Sequence, residues 1–123
     1  MTVQELYESI GGSYDSAKKI LQMDMLIGKF ILKLLDDTSC QRLLDAAQAG
    51  DPVGMFEGAH AMKGVCANLG LNDLSAAASV IAEEFRPGKE RTMDQAALDQ
   101  RLAELKDKYE ETVAGIRKYA AEQ

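Results

Sequence analysis

The sequence predicts an all-α protein: an antiparallel up-and-down four-helix bundle with additional short N-terminal helices. Three observations predict it. Ala, Leu, Glu, Lys and Gln dominate while β-branched residues are sparse. Apolar residues recur at helical spacing, and strand-type alternation is absent. The long apolar seams are separated by short turns, which makes successive helices antiparallel neighbours.

The elements follow in chain order. Thr2 and Glu5 form a capping-box pattern that starts a helix reaching Ile10, and Gly11-Gly12 stops it. A short helix is expected from about Tyr14 to Leu21. Asp24 is placed to cap the next helix, which carries Ile27, Phe30, Ile31, Leu34 and Leu35 toward a core. The run Asp36-Asp37-Thr38-Ser39 interrupts or bends it, and Leu43, Leu44 and Ala47 continue the stripe to Gly50. Asp51-Pro52 reads as a capping acid followed by proline at the first helical position. The helix it opens runs to about Gly70, with Met55, Ala59, Met62, Cys66 and Leu69 as a coiled-coil-like seam. Asn72 or Asp73 is expected to cap the following helix, whose seam is Leu71, Leu74, Ala78, Ile81 and Phe85. Pro87-Gly88 breaks the chain. The last helix, about Asp94 to Ala120, carries Leu98, Leu102, Leu105, Tyr109, Val113 and Ile116.

A length of 123 residues suits one domain spanning the chain, read as a helical extension over residues 1–22 and a bundle over 24–120. The formal net charge of -6 and the absence of a basic run argue against nucleic-acid binding. No apolar stretch approaches the length of a membrane span, and the first residues lack a basic region followed by an apolar core. Cys40 and Cys66 stand alone, with no CxxC or CxxH, and read as reduced, half-buried thiols of a cytoplasmic protein. The six methionines read as core filler, Gly54 and Gly58 as packing positions, and Glu83-Glu84 and Glu110-Glu111 as solvated faces.

His60 is the one histidine of the chain. With each helical residue turning about 100°, it lies roughly 140° from the middle of the buried seam and points into solvent. Lys63 follows three residues on, within reach of a group attached to the imidazole. Gly64 follows four residues on, beside His60. Glycine inside a helix costs about 1 kcal/mol relative to alanine, so its presence calls for a reason, and clearance for a bulky partner supplies one. Ala67 keeps the next turn low. A neutral imidazole, whose ordinary pKa is about 6.5, is a competent nucleophile near neutral pH. Attack on phosphorus would give a reactive phosphoramidate, and such transfer is mostly positioning and charge neutralisation. The chain offers no catalytic triad, no phosphate-binding Gly-rich loop and no cluster of metal ligands.

The run Ala59-His60-Ala61-Met62-Lys63-Gly64-Val65-Cys66-Ala67-Asn68-Leu69-Gly70-Leu71 resembles the signature of histidine-containing phosphotransfer (HPt) domains, a His-x-x-Lys-Gly core followed by Leu-Gly. The resemblance covers about Asp24 to Arg86. It implies a four-helix bundle with a phosphorylated imidazole on its surface, usually modified at the ring nitrogen remote from the backbone. It also implies a phosphorelay intermediate of two-component signalling without autonomous kinase activity. His60 would be the phosphoryl acceptor, Lys63 the charge partner of the phosphate, and Gly64 the clearance residue, with Ala67 beside it. The implied partners are response-regulator receiver domains, each with a bound magnesium ion, and a hybrid histidine kinase; no cofactor of the chain's own is implied, and a monomer is expected. Two departures stand out. Val65 and Cys66 replace small polar residues, and Ala76 to Ala82 lacks the glutamine or similar polar group that many relatives place near the imidazole. Two other classes compete with the relay: a helical docking module without chemistry, and a dimeric sensor-kinase hairpin. The hairpin usually has an acidic residue directly after the histidine and a proline a turn later, where this chain has Ala61 and Val65.

Overall fold

Seven α-helices carry the chain in the computed structural model, which describes residues 1–123. They are α1 (Val3–Ile10), α2 (Tyr14–Leu21), α3 (Asp24–Lys33), α4 (Ser39–Ala49), α5 (Pro52–Asn68), α6 (Asn72–Glu84) and α7 (Gln95–Ala121), with a 3-10 turn at Leu34–Asp36. No strand is present. α5 packs between α4 and α6, and α7 packs on both α6 and α4, which closes the bundle. α1 lies against α7 and α3, and α2 against α3 and α5.

Local sequence accounts for most of the boundaries. The Thr2–Glu5 capping box is formed on both sides, and Gly11 takes the left-handed conformation at φ 70° that ends α1. Asp51 accepts from the Gly54 N–H at 3.1 Å with Pro52 directly behind it, which fixes the start of α5. Asp94 caps α7 in the same way through the Ala97 N–H. The break between the 3-10 turn and α4 is organised by Asp37, whose carboxylate accepts from both the Ser39 N–H and the Ser39 hydroxyl.

The methionines are not all core filler: Met55 and Met62 are buried, but Met1, Met23 and Met25 are exposed. Four further expectations need correction. Asp24 does not cap α3; Met23 holds that position, and the Asp24 carboxylate is engaged by the Tyr14 hydroxyl and by Lys18 Nζ at 3.0 Å. Neither Asn72 nor Asp73 caps α6: Leu71 does, without a side-chain bond, while Asn72 donates to Ser16 and Asp73 pairs with Lys108. In both cases a partner on another helix takes the side chain: donors for Asp24 and Asp73, and the Ser16 hydroxyl oxygen as acceptor for Asn72. The thiols are fully buried, not half-buried, at 2% exposure for Cys40 and 0% for Cys66; burial pushes the first up to about 11 and the second up to about 12.

The last correction is Glu84. Glu83 is exposed and paired with Arg86, as a solvated face requires, but Glu84 is only 2% exposed. The loop after Pro87 folds back and wraps its carboxylate. The Met93 N–H donates at 2.7 Å, the Thr92 N–H at 2.9 Å and the Thr92 hydroxyl at 2.7 Å, with Arg91 at 3.1 Å and Lys89 at 3.4 Å. The bonds from Met93 and Thr92, then Arg91, hold the carboxyl well below the usual carboxylate range.

The seams behave as their spacing requires. Met55, Ala59, Met62, Cys66 and Leu69 of the α5 stripe are buried, as are Leu71, Leu74, Ala78, Ile81 and Phe85 on and beside α6. They join one apolar cluster with Ile27, Ile31, Leu43, Leu98, Leu105 and Ile116. Each fully buried aliphatic side chain contributes about 1.5–3 kcal/mol. Phe30, Leu35, Tyr109 and Val113 reach only a half-buried position at its edge. Val3, Leu6, Tyr7 and Ala17 belong to the same cluster, so α1 and α2 are packed into the bundle. The buried Tyr7 hydroxyl donates to the Leu69 carbonyl at 2.6 Å, tying α1 to the end of α5. Gly58 lets α4 and α5 approach closely, since a Cβ there would lie 2.8 Å from the Leu43 backbone nitrogen.

Candidate functional site

α5 has two unlike faces. The seam faces the core, and His60 lies on the opposite side, exposed. Side chains on a helix lean toward its N-terminus. The imidazole therefore lies over the turn that carries Phe56, and the two rings stack with centroids 5.5 Å apart and planes 17° from parallel. Phe56 is half-buried and packed against the core.

On the C-terminal side the surroundings are bare. Gly64 is exposed, and a Cβ built on it would meet nothing within 4 Å. Ala67, a turn further on, is half-buried. Lys63 is exposed and engaged in no ion pair. It lies near Glu83, whose carboxyl is lowered mainly by Arg86 and more weakly by Lys89 and Lys63. Its own carbonyl accepts from the Ser75 hydroxyl at 3.0 Å, which joins α5 to α6 beside the site.

The four residues picked out in the sequence thus share one face: His60, Lys63, Gly64 and Ala67 lie on successive turns of α5. No side chain of α6 hydrogen-bonds to the ring. The side-chain hydrogen bonds of that helix are made by Asn72, Ser75, Glu83 and Glu84, and none reaches the imidazole. The sequence reading missed Phe56. The signal was available, since an aromatic residue four positions before a histidine on a helix shares its face.

Toward the C-terminal end of α5 a groove of about 470 Å³ opens between α2, α3 and α5, lined by Leu21, Phe30, Leu34, Val65 and Leu69 among others. No group of three or more His, Cys, Asp or Glu side chains converges as metal ligands would. No helix is long and apolar enough to cross a membrane.

An exposed imidazole with an adjacent cation and open space in front of it can accept and release a small anionic group brought by another macromolecule. No curated protein and no solved structure matched the chain. The Hpt domain family model, by contrast, matches residues 31–115, more than two-thirds of the length and all of α4, α5 and α6. The chain belongs to the Hpt domain family, whose activity is phosphotransfer in two-component phosphorelays and whose members interact with receiver domains and kinases.

Proposed function

We propose that His60 is the residue that carries the phosphoryl group, taking it from a receiver-domain aspartate and passing it to another. A hybrid histidine kinase and a response regulator are the partners at the two ends. The observation that carries this reading is the pairing of the chain's one imidazole, exposed, with a glycine whose side-chain volume is empty.

In the forward step the lone pair of the neutral ring nitrogen forms the N–P bond. The P–O bond to the aspartyl carboxylate breaks, and its electron pair returns to the carboxylate oxygen. The positive charge left on the ring is removed when the other ring nitrogen gives its proton to water, and the reverse step restores it. Lys63 places one positive charge beside the phosphoryl oxygens. Gly64 and Ala67 leave room for the partner's surface. The remaining charge stabilisation is left to the receiver, where a bound magnesium ion is expected.

The test is transfer of labelled phosphate from a phosphorylated receiver domain. His60→Gln is expected to take up no label while keeping its circular dichroism spectrum. A His60→Gln protein that still labels defeats the assignment. Labelling lost with partner-dependent signalling intact would favour the docking-module reading instead. Lys63→Ala is expected to slow transfer about tenfold, less than loss of a buried donor because the ammonium is hydrated. Its melting temperature is expected to stay unchanged, since an exposed lysine contributes little to folding. Unchanged transfer kinetics would make Lys63 a bystander.

A further inference from the structure

Phe56 is a residue with no assigned role that touches the proposed acceptor. We infer that Phe56 is the positioning residue of the site: its ring is the wall against which the His60 imidazole is held in the orientation that presents its nucleophilic nitrogen toward the gap at Gly64. The inference rests on the reading of His60 as acceptor.

Three observations carry it. The rings are stacked, at 5.5 Å and 17°, a geometry that restricts rotation of the imidazole about its outer torsion. Phe56 is itself fixed, because it is half-buried and packed against the core cluster while His60 is exposed. No side chain of α6 hydrogen-bonds to the ring, and the aromatic contact it does make, to Phe56, comes from α5 itself.

The two neighbours one turn away are therefore complementary. Phe56 closes the N-terminal side of the imidazole, and Gly64 leaves the C-terminal side open. A ring free to swing would spend only part of its time aligned with an incoming phosphorus atom. Alignment of the reacting atoms is where much of the rate of such a transfer resides. The stack also places the face of an aromatic ring against an imidazole that becomes positively charged as the N–P bond forms.

The experiment is single-turnover transfer from a phosphorylated receiver domain to wild type, Phe56→Met, Phe56→Tyr and His60→Gln, with receiver concentration varied. Met keeps an apolar side chain of similar bulk against the core but removes the flat wall. Phe56→Met is expected to lower the saturating transfer rate about three- to tenfold, the size of a lost ring pair. The half-saturating receiver concentration should not move. Phe56→Tyr is expected to restore the rate. Ring-current shifts of the His60 ring protons should be present in wild type and Phe56→Tyr and lost in Phe56→Met. A wild-type saturating rate in Phe56→Met overturns the inference while leaving His60 as acceptor. Labelling of His60→Gln overturns the acceptor reading instead, so the two failures are separate results.

Discussion

Gly64→Gln is expected to reduce phosphoryl transfer by about a hundredfold or more while making the protein slightly more stable. The two halves come from the same fact. A Cβ on Gly64 meets nothing within 4 Å, so the first atom of a side chain fits the folded chain without displacing anything. Replacing a mid-helix glycine by a good helix former then gains up to about 1 kcal/mol. Side chains lean toward the N-terminus of their helix, so the new glutamine would project over the turn that holds His60. There it occupies the space from which a receiver aspartate must approach, and a displacement of about 1 Å in a reacting atom costs on the order of a hundredfold. Gly64→Ala is the graded control, with the same gain in melting temperature and a smaller loss of transfer. Thermal melts and transfer kinetics on the same preparations check both halves. Wild-type transfer by Gly64→Gln would remove the clearance role; a lowered melting temperature would show that the glycine serves packing.

Glu84→Ala is expected to be the most damaging single change to the fold outside the apolar core. It would leave the Met93 and Thr92 N–H groups and the Thr92 hydroxyl without their acceptor at the end of α6. Arg91 and Lys89 would also lose their partner. A fall in melting temperature on the order of 10 °C is expected, with the loop between α6 and α7 losing protection from proteolysis before the rest of the chain. Glu84→Gln keeps the shape and an acceptor oxygen and should fall between alanine and wild type. The pH dependence has a definite sign. The folded carboxyl titrates below its unfolded value of about 4.3, so the folded state holds fewer protons than the unfolded one in that range. The stabilisation is fully present above the unfolded value and is lost as pH falls toward the folded one. The gap between wild type and Glu84→Gln should therefore be constant near neutrality and narrow below about pH 4. A gap that persists unchanged at low pH would mean that the carboxylate charge is not what holds the loop.

The two residues illustrate what a linear pattern reveals. His60 was placed on the outer face of α5 by counting from its seam, and the exposure of Gly64 followed by the same arithmetic. Capping was legible where the cap and its helix are adjacent in sequence, as at Thr2 and Asp51. It failed at Asp24, Asn72 and Asp73, because the partners that take those side chains, Tyr14, Lys18, Ser16 and Lys108, arrive from other helices. Glu84 failed for the same reason: nothing in its neighbourhood on α6 says that the chain will return eight residues later to wrap it.

The sequence by itself determined the helical class, the seams that set which face of each helix is buried, and the face on which His60, Lys63, Gly64 and Ala67 stand together. These depend only on the helical repeat, which fixes relative direction within one element. The tertiary structure alone decided the burial of Glu84, the docking of α1 and α2 into the core, and the seating of Phe56 as a fixed wall beside the imidazole. Each of these depends on contacts made outside a single helix, the returning loop for Glu84 and the core cluster for α1, α2 and Phe56, and such contacts are set when helices pack, not when they form.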